Sequence, residues 1–283
     1  MNRMRYNVCV LGVLAAASLP ELCFAQRNVD GIRDNSFLVE EAYNQEPGVV
    51  QHIFNTIYSY DQLTGSDQHR VDLAFTEEWP IFSQDHQFSY TLIYSFERTG
   101  GMSQDGLGDL FLNYRYQAWF DEKTLTAFAP RFSLILPTGD STRDFGSDTV
   151  GYQWNLPFST TLGDFWYIHA NAGFTYLPDA VPSPRHDLFG YNLGASAIYA
   201  ITPDLNLMLE WITFWKEPSG SAIGVSSEFS SVISPGIRRA FNFPGGAQLV
   251  LGLGIPIGLT RSAPDVGAFL YLSFEHSFVK KHD

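Results

Sequence analysis

The chain has 283 residues, 45% of them hydrophobic and 17% charged, with a formal net charge of −13. An acidic balance of this kind lacks the basic footprint that nucleic-acid binding requires. Its two cysteines, Cys9 and Cys23, both fall in the first 25 residues, so neither disulfides nor thiol chemistry are expected of the mature protein.

Arg3 and Arg5 precede an apolar run, Val8 to Leu19, and a small residue, Ala25, closes the segment. A charged start, an apolar stretch too short to span a bilayer and a small residue at the end describe a cleaved secretory signal. Residues 1–25 are therefore expected to be removed before Gln26, which leaves the mature chain one charge more acidic. A lipoprotein signal with Cys23 as the modified residue fits poorly, because Pro20, Glu21 and Leu22 stand where small residues belong. Residues 26–48 are polar and irregular and are expected to form a periplasmic N-terminal segment ahead of a barrel domain, 49–283.

Downstream no window approaches the length of a transmembrane helix, yet the sequence alternates. In GLGDLFLNYRYQAWF, Leu110, Leu112, Tyr114, Tyr116 and Phe120 share one parity, while Asn113, Arg115 and Gln117 share the other. A membrane barrel strand needs only about 9–11 residues with alternate positions apolar, so its mean hydropathy stays near neutral. Such runs predict twelve strands, at 49–60, 69–79, 86–98, 109–120, 125–137, 150–162, 165–177, 189–202, 205–216, 228–240, 247–259 and 266–278. The links after odd-numbered strands read as long, polar loops (YDQLTGSDQH, TGGMSQDGLG, PTGDSTRDFGSDT). Those after even-numbered strands are shorter, such as DEKT, LGDF and TPD, with WPIFSQDH longer. The expected fold is all-β: a closed antiparallel transmembrane barrel with short periplasmic turns and longer extracellular loops. Pro130, Pro157, Pro235 and Pro256 fall inside predicted strands, where each removes a ladder hydrogen bond, so bulges are expected there.

Parity assigns the two faces. Leu92 and Ile168 are expected to face lipid, and Thr91 the lumen. Asp72, Glu97, Arg115, Arg131, His169, Asn171, Glu210 and Lys216 are the candidate pore-lining residues. Hydrated charge on the inward face predicts a wet, narrow channel. Pairing across the DEKT turn brings Arg115 close to Arg131. The pair is expected either to be neutralised across the lumen by Asp72 or Glu210, or to form an electropositive constriction.

Other chemistry is thin. The glycine runs GLGD and PTGD lack the helix and Lys-Ser/Thr pair of a phosphate loop, and read as turns. Asp140, Asp144 and Asp148 lack EF-hand spacing and read as a solvated loop, calcium binding being the alternative. None of the seven histidines has a serine two residues on, the same-face spacing for a strand-borne nucleophile and base. No catalytic, cofactor or metal-binding residue is assigned. A barrel enzyme of the lipid-hydrolase type, with a nucleophile and base brought together across strands, and a non-conducting structural or adhesive barrel remain the alternatives to a channel.

The ordered set Gly106-Leu107-Gly108-Asp109, Leu136-Pro137-Thr138-Gly139-Asp140, Gly146-Ser147-Asp148 and His169-Ala170-Asn171-Ala172-Gly173-Phe174 resembles a family of outer-membrane barrels. That family is named for the meta-cleavage pathway of phenol degradation, and its members are described as transporters. The resemblance covers roughly 50–278 and implies a barrel passing hydrophobic or aromatic solutes. The expected partners are outer-membrane lipids, the barrel-assembly machinery and a small-molecule solute.

Overall fold

The computed structural model describes residues 36–63, 65–180, 185–216 and 228–278. The signal segment, the proposed start at Gln26 and both cysteines lie outside the described residues. Alternation becomes a single sheet that closes on itself as twelve antiparallel strands. The first four are β1 (Val49–Leu63), β2 (Ser66–Ile81), β3 (Ser83–Thr99) and β4 (Met102–Leu107, Leu110–Tyr116, Trp119–Asp121). Next come β5 (Thr126–Phe128, Arg131–Leu136), β6 (Gly151–Asn155, Phe158–Leu162), β7 (Trp166–Ala180) and β8 (His186–Thr202). The last are β9 (Leu205–Lys216), β10 (Glu228–Asn242), β11 (Gln248–Gly254, Ile257–Gly258) and β12 (Val266–Ser277). Closure is a full ladder between β1 and β12, from Val49↔Ser277 to Tyr60↔Val266, so no edge strand is left exposed.

The outward parity is apolar along the wall: Phe54, Leu73, Leu92, Phe132, Leu209, Leu251 and Leu270 are all exposed large hydrophobics. No helix among the described residues is long and apolar enough to cross a membrane, and the strands do the crossing. Aromatic residues recur near the strand ends, where Trp79 packs on Phe278 and Trp166 on Tyr199.

Two expected long loops are strands instead. Leu63 pairs with Ser66, and Thr99 with Met102 across Gly100–Gly101, so both hairpins turn tightly and rise further. Above the lipid both faces of a strand meet water. The apolar alternation therefore fades in SDQ and SQD while the backbone ladder continues. WPIFSQDH is likewise strand on both sides of Phe82, whose φ of 62° makes the turn.

Three of the four prolines sit at interruptions. Pro130, Pro157 and Pro256 separate the segments of β5, β6 and β11, and their carbonyls still accept from Tyr116, Ala129 and Gly267. The breaks in β4, β5 and β6 lie side by side, as the pairs Arg115↔Arg131 and Arg131↔Asn155 show. Pro235 instead stays within continuous β10, opposite Leu209.

The larger difference concerns the N-terminal segment. Residues 36–47 do not hang below the barrel as a periplasmic segment; they run inside it. Ser36, Phe37, Val39 and Glu41 to Gln45 are buried. Phe37 stacks on Phe269 and joins Ile198, Met208, Val250 and Tyr271 in a hydrophobic core within the barrel. The wall makes room for it with glycine: a Cβ on Gly252 would stand 2.4 Å from the Phe37 ring, and one on Gly236 2.9 Å. A chain with Phe, Leu and Val among its polar residues gains by burying them, and its free backbone groups find inward-facing side chains to bond.

Candidate functional site: the barrel lumen

Alternation points all eight predicted lining residues inward, but the N-terminal segment divides them into two groups. Arg115 and Arg131 stand directly opposite one another, as the turn register predicts. Their partners are neither Asp72 nor Glu210. Arg131 Nε lies 2.8 Å from Glu40 Oε1, while Arg115 lies 3.4 Å from Glu41, 3.6 Å from Glu40 and 4.0 Å from Glu78. Arg115 also donates through Nε to Asn44 Oδ1 at 2.8 Å and through Nη2 to the Tyr43 carbonyl. Arg131 donates to Asn113 and Gln153 on the wall. With three carboxylates around two guanidinium groups, the constriction is not electropositive. Paired charges buried at this depth hold position because removing either partner leaves the other uncompensated.

Glu210 is fully buried and accepts from the backbone N–H of Leu38 at 2.9 Å and of Val39 at 3.1 Å. His169 is also fully buried. Its Nδ1 lies 2.7 Å from Ser159 Oγ across the β6–β7 pair, and Ser159 Oγ accepts from Ala42 N–H at 2.8 Å. This is the cross-strand Ser–His arrangement that a same-strand search does not detect. Here it is roofed by the segment, with Tyr43 edge-on to the imidazole. Asn171 is buried below Gly194, where an added Cβ would meet Asn171 Oδ1 at 2.8 Å and Val39 at 3.1 Å.

The remaining three residues stand above the segment, and Asp72 and Lys216 among them line a cavity there. Arg70 Nε binds Asp72 at 2.9 Å, and Arg70 Nη1 reaches Glu97 at 3.4 Å. Lys216 Nζ stands 5.2 Å from the centre of the Phe214 ring. Sequence reading missed Arg70 and Glu78, although both share the inward parity of Asp72. It also missed Glu40 and Glu41, for which alternation offers no signal because the segment is not a strand.

Three of the four motifs that carry the family resemblance converge at the extracellular end. Asp109, from GLGD, accepts from Gly139 N–H at 2.9 Å, and from Ser147 N–H at 2.8 Å and Oγ at 2.6 Å. One carboxylate thus ties PTGD and GSD together. The loop chains touch so closely that a Cβ on Gly146 would lie 2.6 Å from the Gly139 carbonyl carbon. The knot folds the β5–β6 loop into the barrel mouth, where Phe145 is buried and a Cβ on Gly106 would lie 2.6 Å from its ring. The acidic residues of this loop bond within it and to the β7–β8 connection. Asp140 caps the turn Ser141–Arg143, its carboxyl held below the ordinary range by the Thr142 hydroxyl, and Asp148 pairs with Arg185 at 2.8 Å.

Between knot and segment lie cavities that share walls. One of about 470 Å³ is lined by Arg70, Asp72, Lys216 and Glu228. One of about 350 Å³ is lined by Asp109, Phe111, Leu177, Phe214 and Lys216. Another of about 300 Å³ lies under Phe145 and shares Arg70 with the first and Asp109 with the second. A fourth, of about 330 Å³, runs beside the segment along Ser36 to Glu41, and shares Ile93 and Phe111 with the third.

No family model matches the sequence, and no curated protein matches it. Among solved structures, the chain is similar to an outer-membrane channel from Pseudomonas putida F1, with a TM-score of 0.60 and 14% identity over 84% of this chain and 98% of that one. It is also similar to the transport unit of the autotransporter AIDA-I from Escherichia coli, with a TM-score of 0.50 and 9% identity over 86% of this chain and 95% of that one. The translocator domain of autotransporter NalP from Neisseria meningitidis gives a TM-score of 0.50 and 9% identity, covering 81% of this chain and 88% of that one. At these identities the likeness is one of fold, and the fold is that of outer-membrane β-barrels.

Proposed function

We propose that this protein is an outer-membrane channel for passive passage of small solutes, exported by the signal at residues 1–25. The carrying observation is a series of adjacent cavities: neighbouring spaces share Arg70, Lys216, Asp109, Ile93 and Phe111 in their walls, from the loop knot down to the N-terminal segment. Mixed walls support the finer reading of a hydrophobic or aromatic solute. Phe111, Leu177, Leu188 and Phe214 offer apolar surface, while Asn192 and Lys216 offer a donor to a hydroxyl or an acid group. The family resemblance points the same way, and the solved channel of similar fold supports the coarser reading of a channel.

Passage past the segment needs either a narrow path along its side or its displacement. The test is conductance of the purified protein in planar bilayers. Small, discrete steps are expected from the intact protein and larger ones from a variant lacking residues 36–47. A silent bilayer with both, each folded, would remove the channel reading in favour of a scaffold.

A further inference from the structure

Where β12 closes on β1, three side chains meet on the outward face at the periplasmic end. Val50 pairs with His276 and His52 with Glu77, so His52 and His276 are diagonal neighbours across the closing seam, with Glu77 beside them on β2. His52 Nδ1 lies 2.7 Å from Glu77 Oε2, and the other carboxylate oxygen accepts from Trp79 Nε1 at 2.8 Å. An ionised carboxylate only accepts, so His52 Nδ1 carries its ring's proton. His276 Nδ1 lies 3.3 Å from the Ser277 carbonyl oxygen, which also only accepts. In two neutral rings so arranged, both Nε2 atoms bear lone pairs.

Those two Nε2 atoms stand 3.4 Å apart, with ring centroids 5.4 Å apart, so their lone-pair edges face each other. Facing acceptors repel unless a cation lies between them. The separation lies within hydrogen-bond reach when one ring holds its proton on Nε2, and a bridging cation is the alternative when both hold it on Nδ1. Two nitrogens bound to one tetrahedral zinc, each about 2.0–2.1 Å from it, stand about 3.3–3.4 Å apart. Glu77 supplies what a ligating imidazole normally has behind it, a carboxylate on the far nitrogen that fixes the tautomer and ring orientation. Trp79 against Phe278 marks the interfacial level, where periplasmic water reaches the site.

We infer that His52 and His276 form a two-imidazole site for a divalent metal ion of the zinc or copper class, with water as the remaining ligands and Glu77 as a positioning residue. Among the described residues no group of three or more His, Cys, Asp or Glu that could hold a metal ion is present, and the site inferred here has two protein ligands. Because they belong to the first and last strands, the bound ion staples the seam at which the barrel closes. An ion that binds only the closed barrel stabilises it.

The test uses the folded full-length mature protein in detergent, stripped with chelator and then given zinc chloride. Dialysis should find one zinc per chain, and the temperature at which the unheated gel form is lost should rise. Magnesium and calcium chloride should do neither, since imidazole disfavours them. His52→Gln and His276→Gln should each abolish both effects, and Glu77→Gln should weaken zinc binding roughly 10- to 100-fold. Cobalt(II) added to the unaltered protein should give a visible absorption band that zinc removes, a readout that does not depend on any variant folding. Zinc retained by both histidine variants would overturn the site. So would absence of the cobalt band, or a seam whose stability follows pH alone with no metal bound.

Discussion

Two arginines and one aspartate carry most of what single residues decide in the lumen. Arg115 and Arg131 hold the N-terminal segment through Glu40, Glu41 and the Tyr43 carbonyl. Replacing both by alanine removes the guanidinium partners of Glu40, Glu41 and Glu78, a loss of about 3–5 kcal/mol per broken buried pair. The segment should then leave its place, so conductance should rise and the reversal potential in a salt gradient should shift towards cations. An unchanged potential in a folded double variant would mean that these side chains do not face the conducting path. Asp109 is the corresponding residue at the mouth. Asp109→Ala removes three hydrogen bonds to a charged acceptor, each about 1.5–3 kcal/mol, and should release the β5–β6 loop. Arg143, already half-exposed in that loop, then becomes a ready tryptic site. Cleavage from the extracellular side should be faster in the variant, and equal rates would show that the knot is held by other contacts.

At the scale of the strand, parity sets the cost of a charge. Leu92 faces outward and Thr91 lines the cavity beside the segment. Arginine at Leu92 should cost roughly 2–4 kcal/mol in a folding titration, and much less at Thr91, where water and polar side chains receive it. The reverse order would invert the wall. Parity alone would give Asn171 the same tolerance as Thr91, and packing removes it. Asn171 is buried against Gly194 and Val39, so Asn171→Arg should destabilise the barrel, read as loss of the folded form on unheated gels. Inward does not mean wet where the segment fills the space.

On the scale of the whole molecule, the barrel is a wall around two insertions, the segment below and the loop knot above. The apolar core packed around Phe37 lies inside the wall. Deleting residues 36–47 should therefore both raise conductance and lower the heat resistance of the folded barrel, because Ile198, Met208 and Phe269 lose their cover. Higher conductance without any loss of heat resistance would mean that the core does not depend on the segment. The number of strands and the face each residue presents follow from alternation, because a residue's face is fixed by its position along the chain, whereas the extent of β1 to β4 does not.

That is the division between chain and fold. Local sequence determined the strands, their faces and even the Arg115–Arg131 register, since period-two patterning and a short turn act over neighbouring residues. Tertiary structure decided the contents: Phe37 against Gly252, Glu40 against Arg131, Ser159 against His169, Asp109 against Ser147, and His52 against His276 at the seam. Each of these pairs joins residues from separate strands, loops or the N-terminal segment. Ser159 and His169 oppose one another in one hairpin, but the others meet only in the folded barrel, and His52 meets His276 only where the ring closes, a contact that no local pattern in the sequence records.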